Sequence, residues 1–403
     1  MPVNATNLEA PTIQYIDNDE FFLTIGWNNG HSAKFPFIFL RDNAPGTRNK
    51  NGQKLIETAD LALDCTPENI SLQDNKYLSI KWNDKKEESY FPVRWFLEND
   101  YVLQEQQQEY NRKSFLDDLW NGDYFNELPQ HDFELISADA TALYEWLDKI
   151  RRYGFALLRN VPCSEEMVLK VISLFGYTRE TNYGRLFNVR TVIDPVNLAY
   201  TGLAISPHTD NPYRHPVPTL QLLHCLSSDA AGGDSILVDG FRVAEDLRQE
   251  HPFYFKLLST VTVSFRFIDQ SNQIESYSRI IVLNADGSVA AIKLNNRSIQ
   301  PVRLPAWDLL EFYRAYLQFL KMTNDERYQV RFKMNAGDLY IVDNERLLHA
   351  RTAYDNTMGT RWLQGAYADK DGLHSKWRVL QEQIKNDLNK NDDGNNNTSG
   401  THG

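Results

Sequence analysis

The chain has 403 residues, of which 42% are hydrophobic and 24% are charged. These values are ordinary for globular proteins, so they exclude a chain that is disordered throughout, and the length predicts more than one domain. Acidic side chains outnumber basic ones by 54 to 42, giving a formal net charge of −12. Such a balance argues against a protein that binds nucleic acid along its phosphate backbone.

The cysteines and the N-terminal segment indicate the cellular environment. The three cysteines, Cys65, Cys163 and Cys225, include no Cys-x-x-Cys pair, so neither a disulfide framework nor a thiolate zinc site is predicted. Residues 1–22 show neither a signal peptide nor an Arg-rich presequence, and no run approaches about 18 consecutive apolar residues. We therefore expect a cytoplasmic protein that acts away from membranes.

Residues 1–105 are predicted to form a small β-rich domain. Short alternating runs, such as residues 21–25 and 77–82, are separated there by clusters of Asn, Gly and Asp. Residues 106–130 are rich in Gln, Glu, Asn and Asp, which is typical of a linker or a short surface helix.

Residues 131–388 begin with helices. Apolar residues 143, 146, 147 and 150 follow helical spacing, and Gly154 ends the pattern. Ser164 is predicted to be the N-cap of a second helix.

Beyond residue 200 most runs are strand-like, and one helix interrupts them. Its predicted apolar stripe consists of Leu309, Tyr313, Tyr316, Leu317 and Leu320. A mainly β domain with helical buttresses predicts a jelly-roll. Residues 389–403 are almost entirely Asn, Asp, Gly, Ser and Thr, so we expect a disordered tail.

A histidine and a carboxylate stand two residues apart at His208 and Asp210, which on an extended chain places both on one face. With 9 histidines and 54 acidic residues, about one His-x-Asp/Glu is expected by chance, so the pair alone means little. A third candidate, His349, follows a strand-like run that would return to the same end of a barrel. Two histidines and one carboxylate suit catalytic Fe(II) better than structural zinc, which normally has four ligands.

Arg361 follows His349 in the next strand-like run. A buried arginine facing the metal would hold the remote carboxylate of a 2-oxoacid in a bidentate manner. The alternative, an exposed strand arginine, is equally compatible with the sequence alone.

Several short motifs carry a family resemblance. They read HTDNPYR at 208–214, QLLHC at 221–225, GGDS at 232–235, VDGF at 238–241 and GAYAD at 365–369. Together they resemble the γ-butyrobetaine dioxygenase family of TauD-like, Fe(II)/2-oxoglutarate-dependent dioxygenases, over about residues 15–380.

The resemblance implies a double-stranded β-helix, or jelly-roll, catalytic domain that follows a small β-rich domain. It also implies that His208, Asp210 and His349 bind Fe(II) and that Arg361 binds the cosubstrate 2-oxoglutarate. O₂ would be the other cosubstrate, ascorbate would be needed for full activity, and the enzyme would be a homodimer.

The chain departs from this family in its N-terminal domain. Family members hold a structural zinc there through cysteines after an Arg-Asp-Asn sequence and a later histidine. Here Arg41, Asp42 and Asn43 are followed directly by residues 44–49, which include no cysteine, and the later segment 82–86 offers no histidine. We therefore predict that structural zinc is absent.

The resemblance places an aromatic cage for a quaternary ammonium group at Tyr183, Phe187, Tyr200 and Tyr367. Phe187 occupies a position where tryptophan is common, and its ring attracts a cation less strongly. Taken singly, each of these residues is more readily interpreted as an aromatic side chain of the hydrophobic core. Their joint spacing favours the cage.

The anionic end of the substrate is assigned by resemblance to Asn197, Asn295 and Asn296, whose alternative role is in turns. Arg297 would add a full positive charge, which fits a carboxylate and fits a phosphonate dianion at least as well.

The leading interpretation is hydroxylation of a trimethylammonium carboxylate, γ-butyrobetaine to L-carnitine. The nearest alternative substrate is 2-(trimethylammonio)ethylphosphonate. Trimethyllysine is less favoured because no organellar presequence is visible. A non-catalytic protein that binds betaines or oxoacids is the alternative of a different class.

Overall fold

The structure is a computed structural model that describes residues 11–84, 88–190, 202–355 and 359–396, with side chains up to residue 388. Residue contacts divide the chain into two compact units, Met1–Asp117 and Asp118–Gly403. The division falls inside the segment 106–130 that the sequence predicts as a linker, and much of that segment is helical.

In its described residues the first unit contains two antiparallel sheets of three strands each, with the orders β1-β2-β3 and β4-β5-β6. Alternate side chains of these strands point inward and form one apolar core that includes Trp27, Trp82 and Phe96. The predicted β-rich N-terminal domain is confirmed. Its elements are β1 (Ile13–Asn18), β2 (Phe22–Trp27), β3 (Ser32–Pro36), α1 (Phe37–Asp42), β4 (Pro67–Gln73), β5 (Tyr77–Trp82), β6 (Ser89–Pro92), α2 (Val93–Glu98) and α3 (Tyr101–Asp117).

Charged side chains hold the connection between α1 and β4. Arg41 Nε donates to Asp84 Oδ2 at 3.0 Å, and Lys54 Nζ donates to Asp42 Oδ2. The hydroxyl of Thr58 donates to the other oxygen of Asp42 at 2.7 Å. This connection follows the Arg-Asp-Asn sequence. Lys54 and Thr58 within it bond back to Asp42 at the end of α1, whereas Arg41 pairs α1 with the residue Asp84 beyond β5.

The second unit contains the larger sheets. Its strands are β7 (Gln130–Asp132), β8 (Phe155–Arg159), β9 (Thr178–Arg179), β10 (Phe187–Val189), β11 (Ile205–His208), β12 (Leu220–Ser228), β13 (Ala231–Gly232), β14 (Ser235–Asp239), β15 (Val263–Ile268), β16 (Gln273–Ser278), β17 (Ile281–Leu283), β18 (Val289–Ile292), β19 (Gln329–Phe332), β20 (Leu339–Asp343), β21 (Leu347–Arg351), β22 (Tyr354–Asp355) and β23 (Arg361–Ala368). Its helices are α4 (Phe133–Ala138), α5 (Ala140–Tyr153), α6 (Met167–Ser173), α7 (Gly240–Glu250), α8 (Pro252–Thr260), α9 (Ala306–Asn324) and α10 (Lys370–Asn396).

Two sheets form a jelly-roll, as predicted. The major sheet has the order β10-β23-β12-β20-β8-β7, with β9 also paired to β23, and the minor sheet has the order β11-β21-β14-β19. Strand alternation separates two cores on the major sheet. Leu157 and Val342 face the minor sheet, whereas Ala156 and Ile341 face α5 and the other outer helices. The outer helices therefore bury one face of the major sheet and leave the other for the site.

The helix predicted around residues 143–150 is confirmed as α5. The side chain of Asp139 accepts hydrogen bonds from the backbone N–H groups of Thr141 and Ala142, which caps the first turn. Gly154 ends the helix in the left-handed conformation, at φ 78°.

The predicted N-cap at Ser164 is wrong. Helix α6 begins at Met167, and the preceding Glu166 has φ 68°. The backbone N–H of Glu166 donates to Gln364 Oε1 at 2.9 Å, a contact far along the chain that local sequence cannot reveal.

The predicted apolar stripe of α9 is wrong for two residues, since Tyr313 is 46% exposed and Leu317 is 53% exposed. Aromatic and leucine side chains occur on both sides of this helix, so spacing alone does not identify the buried side. The buried side consists of Phe312, Ala315, Tyr316, Phe319 and Met322, followed by Thr323.

Helix α10 continues to Asn396, into the segment that the sequence predicts as a disordered tail. The rest of that segment, residues 397–403, lies outside the described residues. Within the described part of the chain, no helix has the length and apolar character needed to cross a bilayer.

Candidate active site

A cavity of about 410 Å³ lies between the two sheets of the second unit. It is lined by most of the predicted site residues: Tyr183, Phe187, His208, Asp210, Asn295, Arg297, His349, Arg361 and Tyr367. Asn296 is not among the lining residues, and its Oδ1 accepts a hydrogen bond from the Tyr316 hydroxyl at 3.1 Å. Asn197 and Tyr200 lie outside the described residues.

The register of β11 and β21 brings the three candidate metal ligands together. His208 and His349 are direct cross-strand partners, and Asp210 follows the end of β11. Their ligand atoms all lie within 4.8 Å of one another. Asp210 Oδ1 is 3.4 Å from His208 Nε2 and 3.6 Å from His349 Nε2.

Hydrogen bonding and burial both keep His208 in the form that a metal requires. Its Nδ1 lies 3.0 Å from the carbonyl oxygen of Ser206, so the proton belongs on Nδ1 and the Nε2 lone pair is directed toward Asp210. Burial, reinforced by His349, lowers the pKa of His208 to about 4. The imidazole is therefore neutral near pH 7, as metal ligation demands.

Three polar residues hold Asp210, and the sequence predicted this role for none of them. Gln221 Nε2 and the Tyr367 hydroxyl donate to Oδ2 at 2.5 and 2.7 Å. Asn344 Oδ1 accepts the backbone N–H of Asp210 at 2.7 Å, and its Nδ2 donates to the Asp210 carbonyl at 2.9 Å. Such partners fix the orientation of a metal-binding carboxylate.

The backbone of the ligand loop is tied to residues 294 and 295. Thr209 N–H donates to the Leu294 carbonyl at 2.7 Å, and Leu294 N–H donates to Thr209 Oγ1 at 3.0 Å. Asn295 Nδ2 donates to the Thr209 carbonyl at 3.1 Å, while its Oδ1 accepts Arg297 N–H at 3.2 Å. Both polar atoms of the Asn295 side chain are therefore engaged, one with the loop that carries Asp210 and the other with the backbone of Arg297.

Arg361 is buried, with 7% of its surface exposed, and its pKa is lowered by that burial. Its Nε donates to the Gly233 carbonyl at 3.2 Å, whereas its Nη1 is buried and has no hydrogen-bond partner among the described residues. A Cβ at residue 233 would lie 2.8 Å from Arg361 Nε, so the glycine of the GGDS motif makes room for this side chain.

Arg351 also lines the cavity, and the sequence alone predicts no role for it. Its guanidinium carbon lies 4.8 Å from the Tyr354 ring, and that of Arg361 lies 5.5 Å from the same ring. Burial and the charge of Arg361 lower the pKa of Arg351 to about 10. The available signal was its position two residues after His349, on the same face of β21.

Aromatic rings form a continuous wall along the cavity. The ring centroids of Tyr367 and Phe187 are 5.0 Å apart, those of Phe187 and Tyr183 are 6.4 Å apart, and Tyr183 is 5.8 Å from Phe267. Phe267 in turn stacks on Tyr213 at 5.2 Å. Phe267 and Tyr213 belong to no predicted cage position and extend this aromatic wall.

Gly365 explains how Phe187 reaches the wall. The two residues are cross-strand partners, and a Cβ at residue 365 would lie 2.3 Å from Phe187 Cζ. Glycine is required here because the ring occupies the space of a side chain.

Arg297 faces both the candidate metal ligands and the aromatic wall. Burial of the guanidinium lowers the pKa of Arg297, and the nearby Asp210, Tyr183 and Tyr213 oppose that change. Part of the side chain remains exposed to solvent. Among the described residues it forms no salt bridge, which leaves its guanidinium for a ligand.

The donors present fit Fe(II) and an oxoacid. Two imidazoles and one carboxylate on one side of a metal leave other positions open, a set typical of Fe(II) oxygenases. The unpartnered Nη1 of Arg361 matches a carboxylate acceptor.

Comparison with known proteins identifies the family of the chain. A family model described as "Taurine catabolism dioxygenase TauD, TfdA family" matches residues 124–367, and one described as "Gamma-butyrobetaine hydroxylase-like, N-terminal" matches residues 15–97. The chain is 33% identical to a gamma-butyrobetaine dioxygenase of Pseudomonas sp. (strain AK-1), over 89% of this chain and 94% of that protein.

Two further relatives are similar along most of their length. Identity is 32% to the gamma-butyrobetaine dioxygenase of Homo sapiens, over 90% of this chain and 95% of that protein. Sequence identity is 28% to a trimethyllysine dioxygenase of Meyerozyma guilliermondii, over 89% of this chain and 93% of that protein. A taurine dioxygenase structure from Burkholderia xenovorans has a TM-score of 0.45 and 15% identity, over 57% of this chain and 81% of that one.

The matches by family model and by curated relatives together extend over both units. The chain therefore belongs to the TauD, TfdA family, alongside the gamma-butyrobetaine dioxygenases, and is an Fe(II)/2-oxoglutarate-dependent dioxygenase.

Proposed function

We propose that this enzyme hydroxylates a trimethylammonium carboxylate, with γ-butyrobetaine to L-carnitine as the leading reaction. The observation that carries the proposal is the aromatic wall, which ends at Tyr367 in hydrogen-bond contact with Asp210. A cation bound against those rings would be attracted by each π-face and would lie beside the candidate metal ligands. The names of the relatives at 33% and 32% identity support the same substrate.

Within this proposal His208, Asp210 and His349 hold Fe(II), and Arg361 holds the remote carboxylate of 2-oxoglutarate. When bound, iron with 2-oxoglutarate and O₂ supplies the oxidising power that places oxygen on an unactivated carbon, with succinate and CO₂ as coproducts. The family membership supports the cofactors, and the geometry of the three ligand atoms supports their assignment to these residues.

The protein's own contribution is binding, orientation and exclusion of water. The aromatic wall, including Tyr183, Phe187 and Tyr367, binds the trimethylammonium group, and Arg297 attracts the anionic end. Asn197, Tyr200 and Asn296 remain predicted contacts of the substrate, whereas Asn295 acts through the ligand loop that its amide braces. Holding a substrate at both ends fixes which carbon lies beside the metal.

A specific observation favours a second candidate, 2-(trimethylammonio)ethylphosphonate. Arg297 and Arg266 line the same cavity as the aromatic wall, and Arg297 forms no salt bridge among the described residues. Two cations would stabilise a dianionic phosphonate more than a carboxylate. Trimethyllysine is the third candidate, because relatives such as the protein from Meyerozyma guilliermondii carry that name.

Other parts of the proposal follow the resemblance. We infer that ascorbate is needed for full activity, that the enzyme is a cytoplasmic homodimer, and that the first unit holds no structural zinc. The ion pair between Lys54 and Asp42 supports the last inference, since Lys54 lies in the connection that follows the Arg-Asp-Asn sequence. Metal analysis of iron-free protein tests it, and one equivalent of zinc would contradict it.

The deciding experiment is succinate release with γ-butyrobetaine, the phosphonate and trimethyllysine in parallel, with product masses measured. His349→Ala protein serves as the background control. We expect the highest kcat/KM for γ-butyrobetaine. Preference for the phosphonate would transfer the assignment to the second candidate, and binding without succinate would support a non-catalytic betaine-binding protein.

A further inference from the structure

Tyr367 contacts two parts of the site at once. Its hydroxyl donates to Asp210 Oδ2 at 2.7 Å, and its ring packs against Phe187 at a centroid distance of 5.0 Å with an interplanar angle of 32°. The carboxylate oxygen can only accept, so the Tyr367 hydroxyl is the donor of this hydrogen bond. One side chain thus joins the aromatic wall to a candidate metal ligand.

The two oxygens of Asp210 have separate surroundings. Oδ1 faces the Nε2 atoms of His208 and His349, whereas Oδ2 accepts hydrogen bonds from Gln221 and Tyr367. Because Oδ2 is already occupied by two donors, Oδ1 is the oxygen that remains for a metal. The strength of the bonds to Oδ2 therefore determines how much negative charge Oδ1 retains.

The sheet fixes this arrangement. Gln221 and Tyr367 are direct cross-strand partners on β12 and β23, so their side chains rise side by side on the face of the sheet that lines the cavity. The strand register therefore fixes the positions from which both side chains reach Asp210.

We propose that Tyr367 is a positioning residue that transmits occupancy of the aromatic wall to the carboxylate that holds iron. The inference rests on the proposed function. A cation against the ring draws electron density from the phenol, which makes its O–H a stronger donor to Oδ2. A stronger bond there leaves less charge on Oδ1, so the arrival of a cationic substrate changes the ligand field at the metal.

Tyr183 offers a matched control in the same wall. Its hydroxyl lies 3.0 Å from that of Tyr213, which donates in turn to Asn211 Oδ1 at 2.6 Å. In the described structure, no hydrogen bond connects Tyr183 to Asp210. Tyr367→Phe and Tyr183→Phe therefore remove the same atom from two rings of one wall, but only the first loses a bond to the metal carboxylate.

The test measures Fe(II) affinity and the absorption band of the anaerobic Fe(II)·2-oxoglutarate complex, in wild type, Tyr367→Phe and Tyr183→Phe. Each complex is titrated with γ-butyrobetaine and with 5,5-dimethylhexanoate, an isostere in which an uncharged tert-butyl group replaces the trimethylammonium group. In wild type we expect γ-butyrobetaine to shift the band more than the isostere does. In Tyr367→Phe we expect the difference between the two ligands to vanish and iron affinity to fall about 10-fold.

Tyr183→Phe is expected to keep both the iron affinity and the ligand-dependent shift. Wild-type affinity and an undiminished shift in Tyr367→Phe would overturn the inference while leaving the proposed function intact. Absence of the band from wild-type protein would overturn the proposed iron and 2-oxoglutarate site, and this inference with it.

Discussion

Charged groups are arranged in opposite ways in the loop of the first unit and in the cavity of the second. In the loop, Arg41 bonds to Asp84 and Lys54 bonds to Asp42, so each cation meets a carboxylate. In the cavity, arginines including Arg297 and Arg361 line the walls, and Asp210 is the only acidic residue among the described lining residues.

The difference separates a structural role from a functional one. Removing a charge from water is costly, so buried cations such as Arg351 and Arg361 are expected where a ligand compensates for their charge. In the loop each cation already has a carboxylate partner, in keeping with our prediction that the first unit holds no structural zinc. In the cavity we expect the dianion 2-oxoglutarate and the carboxylate of the substrate to supply the missing negative charge.

The largest expected effect is on the metal centre. His349→Ala removes one of three ligand side chains, so we expect coupled product formation to fall more than about 100-fold, beyond the loss typical of a supporting residue. Iron content and product are measured together. His251→Ala, a histidine at the start of α8 and outside the cavity, should retain wild-type values; substrate-dependent product from His349→Ala would contradict the ligand assignment.

Arg361→Lys keeps the positive charge but cannot donate two hydrogen bonds to one carboxylate in a bidentate manner. Loss of a charge-assisted hydrogen bond costs about 2 to 3 kcal/mol, so the KM for 2-oxoglutarate should rise roughly 30- to 150-fold. Steady-state kinetics with varied 2-oxoglutarate measures this, with the KM for the primary substrate as the internal comparison. An unchanged KM for 2-oxoglutarate would place the cosubstrate elsewhere in the cavity.

Arg297→Gln tests the anionic end of the substrate. The side chain is partly open to solvent, so screening limits the effect, and we expect the KM for γ-butyrobetaine to rise about 5- to 10-fold while that for 2-oxoglutarate stays constant. Arg303→Gln, an exposed arginine outside the cavity lining, is the matched control. Equal losses in both variants would indicate a general charge effect rather than a contact.

The smallest effect concerns the loop. The hydrogen bonds from Lys54 and Thr58 lower the pKa of Asp42, so their stabilisation is present at neutral pH and is lost as the pH falls below 3.8 through that lowered pKa. Lys54→Met should lower the free energy of unfolding by less than about 1 kcal/mol at pH 7, with the difference vanishing in acid. Urea titrations at several pH values measure it, and chelators should not change the wild-type result.

Local patterns in the sequence predicted much of the fold and the chemical centre. Helix α5 followed from four apolar positions and Gly154, and the three candidate ligands and Arg361 followed from short motifs and a family resemblance. These features depend on spacing along the chain or on strand alternation, which a sequence displays directly.

The residues that support the site could not be predicted in the same way. Asn344 reaches Asp210 across more than a hundred residues of chain, and Phe267 joins the aromatic wall from a separate hairpin. Gln221 lay within a recognised motif, yet its role became visible only in its cross-strand pairing with Tyr367. Long-range register, rather than composition, selects such partners.

The most direct test of the central claim is an anaerobic titration of the metal-free enzyme with Fe(II), then 2-oxoglutarate, then γ-butyrobetaine, followed by absorption spectroscopy. The account predicts one iron per chain, an absorption band that requires 2-oxoglutarate, and a change in that band when γ-butyrobetaine enters. Iron binding that is indifferent to both 2-oxoglutarate and γ-butyrobetaine would contradict the account, because it would show that the uncompensated arginines and the aromatic wall do not serve the metal centre.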